Sequence, residues 1–245
     1  PRSDPISRLV RRSVWIFFVL ATLLPATAYF LLEPTSITKL VLYNGVGLLS
    51  VVLLIHGIRF HNAQPREPWL WFAAGLTSFL TADVLYYLLE LLNPAGTPFP
   101  SIADLFYLLM YPLMIIGLTK MIRSLRPDDG RHDAAPFIDA AVVGIAMFGC
   151  LWVLFVDTVF FTDSSTTAAL MTQLAYPVMD AALLAVAARL AVILHLKHPP
   201  FALMTGAITS LAVADIAYGI YNANGQFQTG LFIDFFWLGF YALFA

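Results

Sequence analysis

Long uninterrupted apolar runs constrain this 245-residue chain more than any other feature. They fall at 14–32, 38–58, 69–92, 101–123, 137–160, 167–195, 201–224 and 229–245, and most reach the roughly 20 residues that a helix needs to cross the hydrocarbon layer of a bilayer. Runs of this length satisfy their own backbone hydrogen bonds as helices, whereas membrane strands would be shorter and alternating. The expected fold is therefore an all-α integral membrane protein with eight transmembrane helices. A composition of 60% hydrophobic and 11% charged residues excludes a soluble globular chain. Thirteen basic against fifteen acidic residues leave no basic surface for a nucleic acid. The single cysteine, Cys150, excludes an internal disulfide, a CxxC pair and a zinc cluster.

Lysine and arginine set the direction of threading. Arg2, Arg8, Arg11 and Arg12 precede span one, Arg59 and Arg66 follow span two, Lys120, Arg123, Arg126 and Arg131 follow span four, and Lys197 follows span six. Eight spans put all of these on one side, and the opposite loops hold only Lys39. Both termini are then expected in the cytoplasm of a bacterium, with the chain in its cytoplasmic (inner) membrane. The first run also has the form of a signal peptide, with a small-residue pattern at Ala26-Thr27-Ala28. Its apolar character continues to Leu32, beyond that pattern, which favours a true first span. The chain begins without methionine and stops at Phe244-Ala245 within an apolar run, so a fragment with a cytoplasmic continuation is expected.

A gapless self-alignment matches Thr77, Ser78, Ala82, Asp83 and Tyr86 of span three with Thr209, Ser210, Ala214, Asp215 and Tyr218 of span seven. In spans four and eight, Asp104, Tyr107 and Tyr111 match Asp234, Trp237 and Tyr241. Apolar helices align easily by chance, so the weight rests on the polar matches. They predict two parallel four-helix repeats in one membrane domain, about 1–130 and 131–245, related by an axis along the membrane normal.

Aspartates within spans cost about 2.5–3.5 kcal/mol near the bilayer centre, so Asp83, Asp180 and Asp215 need partners, a proton or a water-filled cavity. Tyr86 and Tyr218 lie three residues beyond Asp83 and Asp215 on the same helix faces, and their phenols are candidate donors. Helix rise puts both aspartates roughly 21 Å from the cytoplasmic helix ends, in the outer half of the bilayer, where Asp104 and Asp234 begin the next spans. An acidic pocket walled by Tyr86, Tyr107, Tyr111, Tyr218, Trp237 and Tyr241 is the candidate ligand site. Each residue also has a structural explanation. Ser101 and Asp104 have capping-box spacing, Asp83 and Asp215 suit interhelical hydrogen bonding, Pro112 and Pro177 suit bent helices, and aromatic residues suit an interfacial belt.

No phosphate loop, HExxH or nucleophile elbow is present, so no soluble-enzyme chemistry is expected. His56 and His195 lie at the inner edge rather than facing one another within the bundle. No haem, other cofactor or metal is expected.

The segment Pro100-Ser-Ile-Ala-Asp-Leu-Phe-Tyr-Leu-Leu-Met-Tyr-Pro-Leu-Met-Ile-Ile-Gly117, with Ala175-Tyr-Pro-Val-Met-Asp180 and Ala214-Asp215-x-x-Tyr218, resembles the multi-pass N-terminal region of bacterial, especially actinobacterial, GGDEF and GGDEF/EAL proteins. The resemblance implies a membrane sensor region controlling cytoplasmic domains that make or degrade cyclic di-GMP. It also implies a homodimer through those output domains. Neither a GGDEF nor an EAL sequence occurs within these residues, so no catalytic activity is expected of the chain itself. The expected function is a sensory or regulatory module binding a small molecule, lipid or ion between its halves. A small-solute or ion transporter is the alternative, and an intramembrane enzyme the third reading. Reporters fused after Arg66, Arg131 and Lys197 are expected to read cytoplasmic and those at Gly96 and Gly225 external; an external signal at Arg131 contradicts eight spans.

Overall fold

The computed structural model describes residues 27–31, 37–60, 64–93, 97–125, 166–194, 199–223, 226 and 232–244, with 142, 144–146, 149 and 153. Among the described residues six helices are delimited: α1 (Ile37–Phe60), α2 (Arg66–Leu92), α3 (Ile102–Ser124), α4 (Thr167–Leu194), α5 (Pro199–Ala223) and α6 (Asp234–Phe244). A further helical turn covers 27–31. No strand occurs among the described residues. The chain is an all-helical, multi-pass membrane protein, because α1, α2, α3, residues Thr167–Ala191 of α4 and residues Pro200–Asn222 of α5 are each long and apolar enough to cross a bilayer.

These helices follow the predicted spans two, three, four, six and seven within a few residues. Span eight differs: the helix begins at Asp234 rather than 229 and runs for 11 residues. Its first turn is tight, with Phe235 N–H donating to Phe232 C=O and Phe236 N–H to Ile233 C=O, so Asp234 starts the helix instead of lying within it. Most of span one and most of span five lie outside the described residues, as does Ala26 of the small-residue pattern, whose Thr27 and Ala28 open the helical turn at 27–31.

Apolar side chains surround each long helix, as expected where one face meets lipid and the other meets protein. Leu48, Val52, Leu70, Leu105, Leu109 and Val178 remain exposed on the outside. The core is built around Phe72, Leu76, Met110, Met114, Leu118, Phe240 and Tyr241. Packing joins α1 to α2, α2 to α3, α4 to α5 and α5 to α6. Two further contacts link these groups, α3 against α4 and α6 against α1.

The antiparallel pair α2 and α3 shows how small residues set helix separation. Ser101 caps α3 in the predicted capping box, its Oγ accepting from Ala103 N–H while Asp104 accepts from Ser101 N–H. At the other end of the pair, Lys120 meets Glu67 at 2.6 Å, a partly exposed contact worth about 0–1 kcal/mol. Between these ends, a Cβ on Gly117 would stand 2.5 Å from Phe72 Cε1. Phe72 is fully buried, with its ring against Trp69 and Phe244, and has little room to retreat. Pro112 and Pro177 lie inside α3 and α4, where each lacks the N–H that would bond to the carbonyl four residues earlier.

Glycine-to-alanine changes within a helix normally gain up to about 1 kcal/mol. Gly117→Ala is expected to reverse that sign and destabilise by about 1–3 kcal/mol through overpacking. Gly57→Ala, with nothing within 4 Å of the added Cβ, is expected to be neutral or stabilising. Thermal unfolding of both variants in detergent micelles checks the difference.

Candidate functional site

Carboxylates in the upper part of the bundle are held by aromatic donors from neighbouring helices. Asp83, on α2, accepts at Oδ1 from Tyr107 of α3 at 2.7 Å and at Oδ2 from Tyr241 of α6 at 2.6 Å. Asp215, on α5, accepts at Oδ1 from Trp237 Nε1 of α6 at 2.9 Å and at Oδ2 from Tyr111 of α3 at 2.9 Å. The residues matched in the sequence thus occupy matched positions in the hydrogen bonding. One donor for each aspartate comes from the next helix in the chain, and the other crosses from the opposite group.

The same correspondence holds one turn deeper. Ser78 Oγ donates to Phe106 C=O at 2.7 Å, linking α2 to α3, and Ser210 Oγ donates to Phe236 C=O at 2.7 Å, linking α5 to α6. Thr77 and Thr209 each donate to the carbonyl four residues earlier, on Ala73 and Thr205. Both serines satisfy their hydroxyls on the facing backbone, which draws those helices together.

Helix starts supply the remaining carboxylates. Asp104 closes the capping box at Oδ2 and accepts from Tyr176 of α4 at Oδ1, 2.7 Å away; it serves both as a helix-terminus device and as a contact between groups. Asp234 accepts from the hydroxyl of Tyr29, on the 27–31 turn. Tyr29 packs on Tyr43 of α1, which packs on Tyr87 of α2, and Lys39 Nζ lies 4.6 Å from the Tyr29 ring centre.

Asp180 of α4 departs from this pattern. Its Oδ1 lies 2.8 Å from Tyr111 Oη, the same hydroxyl that bonds Asp215. In the other group the ring end of Tyr241 faces Gly47 of α1, where an added Cβ would lie 2.9 Å from Tyr241 Cζ. Asp83, Asp180 and Asp234 are each no more than 4% exposed.

The residues of the expected site form a set of carboxyl–aromatic hydrogen bonds. Asp83, Asp104, Asp180, Asp215, Asp234, Tyr107, Tyr111, Trp237 and Tyr241 all take part, but Tyr86 and Tyr218 are not the donors to the aspartates on their own helices. Tyr86 packs on Tyr87, and Tyr218 lies against Trp237 with ring centres 5.9 Å apart. The reason is reach: a tyrosine across a helix–helix gap of about 8–10 Å meets a short aspartate head-on, whereas a tyrosine one turn away on the same helix extends past it. Sequence reasoning also missed Tyr29 and Tyr176 as donors, although Tyr176 immediately precedes the noticed Pro177.

No group of three or more His, Cys, Asp or Glu among the described residues is placed to hold a metal ion. No family model, curated protein or solved structure matches the chain.

Double-mutant cycles separate the two kinds of partner. Asp83→Asn combined with Tyr241→Phe is expected to give a coupling energy of about 0.6–1.7 kcal/mol, the range of membrane hydrogen bonds. Asp83→Asn combined with Tyr86→Phe is expected to give a coupling near zero in the same unfolding assay.

Proposed function

We propose that this chain is the membrane-embedded sensory module of a bacterial signalling protein, built from two copies of one four-span unit in the same orientation. The copies correspond to about 1–130 and 131–245, giving eight spans in the cytoplasmic membrane with both termini in the cytoplasm. A small molecule, lipid or ion bound between the copies biases a cytoplasmic GGDEF or EAL output region beyond residue 245, which dimerises and sets the level of cyclic di-GMP. The chain itself performs no catalysis in this reading. The resemblance of Pro100–Gly117 to sensor regions of such proteins supplies the output class.

One observation carries the reading: the reciprocal exchange of tyrosine hydroxyls, Tyr111 to Asp215 and Tyr241 to Asp83. Both bonds cross between the helix groups, so displacement of one copy relative to the other breaks them together. A ligand shifts such an equilibrium only through unequal affinity for the two arrangements. The ligand-contacting candidates are therefore the residues that change partners: Asp83, Asp104, Asp180, Asp215, Asp234, Tyr107, Tyr111, Trp237 and Tyr241, with Tyr86 and Tyr218 beside them. The paired Ser78 and Ser210 bonds support the two-copy architecture. Burial of Asp83 and Asp180 beneath aromatic donors favours a two-state element over a transport path, which needs carboxylates open to water.

Asp83→Asn and Asp215→Asn nearly preserve shape while removing charge. In the full-length protein each is expected to leave abundance and folding intact while shifting cyclic di-GMP output about 5–30-fold, corresponding to 1–2 kcal/mol of displaced equilibrium. Normal abundance with unchanged output, ligand response and pH dependence in both variants contradicts the proposal.

A further inference from the structure

Hydrogen counting distinguishes the two cross-group contacts. Asp83 is one carboxylate with two donors, one for each oxygen. Around Tyr111 there are two carboxyl groups, Asp180 and Asp215, and two donors, Tyr111 Oη–H and Trp237 Nε1–H. Trp237 Nε1–H is donated to Asp215 Oδ1. One phenolic hydrogen therefore lies between two carboxyl oxygens, at 2.8 Å and 2.9 Å, and can be donated to only one of them.

Two further observations point the same way. Asp180 is 4% exposed, so its carboxyl has almost no water to share the charge. At the corresponding place beside Tyr241 stands Gly47, so the other group avoids a second carboxyl altogether. The groups around the cluster are Tyr111 from α3, Asp180 and Tyr176 from α4, Asp215 and Tyr218 from α5 and Trp237 from α6, with Asp83 of α2 also acting on Asp215.

We propose that Asp180 is a proton-binding site and that its bound proton closes the contact between α3 and the α4–α5 pair. Asp180 Oδ1–H donates to Tyr111 Oη, and Tyr111 Oη–H donates to Asp215 Oδ2. Asp215 then has two donors, one for each oxygen, the donor arrangement already seen at Asp83. Loss of the proton leaves two buried anions on either side of one oxygen with a single hydrogen between them. Their repulsion and the missing bond favour separation of α3 from α4. The closed arrangement binds one more proton than the open one, so rising pH favours opening.

The full chain reconstituted in lipid and studied by infrared spectroscopy tests this directly. At neutral pH it is expected to show the C=O stretch of a protonated carboxylic acid, shifting in D2O. That band is expected to lose intensity in Asp180→Asn and to keep it in Asp83→Asn. Tyr111→Phe, which preserves the ring, is expected to change its frequency by removing the acceptor oxygen. Absence of the band from the unsubstituted protein, or unchanged intensity in Asp180→Asn, overturns the proposal. If Asp180→Asn does not fold, a band unaltered in Tyr111→Phe overturns it instead. The measurement is independent of the sensory reading: an unchanged cyclic di-GMP output in Asp83→Asn removes that reading and leaves the infrared result intact.

Discussion

A carboxyl group inside an apolar bundle has to find hydrogen-bond donors within the protein, and that requirement organises the contacts here. Lipid tails are as apolar as leucine side chains, so helices in a bilayer gain little from hydrophobic attraction to one another. Close packing and polar contacts decide which helices meet. Asp83, Asp215 and Asp104 draw donors from α3, α4 and α6, so satisfying each carboxyl fixes a helix–helix contact. The serine-to-carbonyl bonds and the tight Gly117–Phe72 approach then set the separation within α2 and α3.

Tyrosine and tryptophan suit this task better than lysine or arginine. A phenol or indole carries one hydrogen at the end of a rigid apolar body, so it reaches across a helix gap while its ring contributes to the core. Tyr241 is buried and its ring packs against Phe79 as its hydroxyl reaches Asp83. A single side chain thereby joins apolar packing to polar pairing. Replacing such a donor by a cation would leave the contact overall neutral but require a charged head to be desolvated.

Helix positions were legible because an apolar run long enough for a bilayer has few alternatives, and five long helices lie close to the runs that announced them. The short α6 was less legible, since apolar residues at 229–233 read as helix although the helix begins at Asp234. The polar residues of the site were legible through their scarcity and through the alignment of Asp83 with Asp215. Their partners were harder. Spacing along one helix pointed to Tyr86 and Tyr218, whereas the donors came from other helices, whose rotation and separation are absent from local periodicity. The alignment of Tyr111 with Tyr241, one turn beyond Tyr107 and Trp237, held the missing signal: two aromatic donors for each aspartate. Gly47, silent in the sequence, became meaningful only when it stood opposite Tyr241 as Asp180 stands opposite Tyr111.

Reciprocal hydroxyl–carboxyl bonds holding two groups of helices together are the centre of this account. Cutting the folded chain measures them most directly: a protease site introduced between residues 126 and 136 allows cleavage after reconstitution, and the association of the two pieces is then followed by size-exclusion chromatography. The pieces of the parent chain are expected to elute together. With Tyr111→Phe and Tyr241→Phe combined they are expected to associate more weakly, and with Tyr29→Phe and Tyr176→Phe added to separate, while Ser78→Ala and Ser210→Ala, which alter bonds within each group, leave them together. Pieces of the fourfold tyrosine variant that remain associated as firmly as those of the parent would contradict the account.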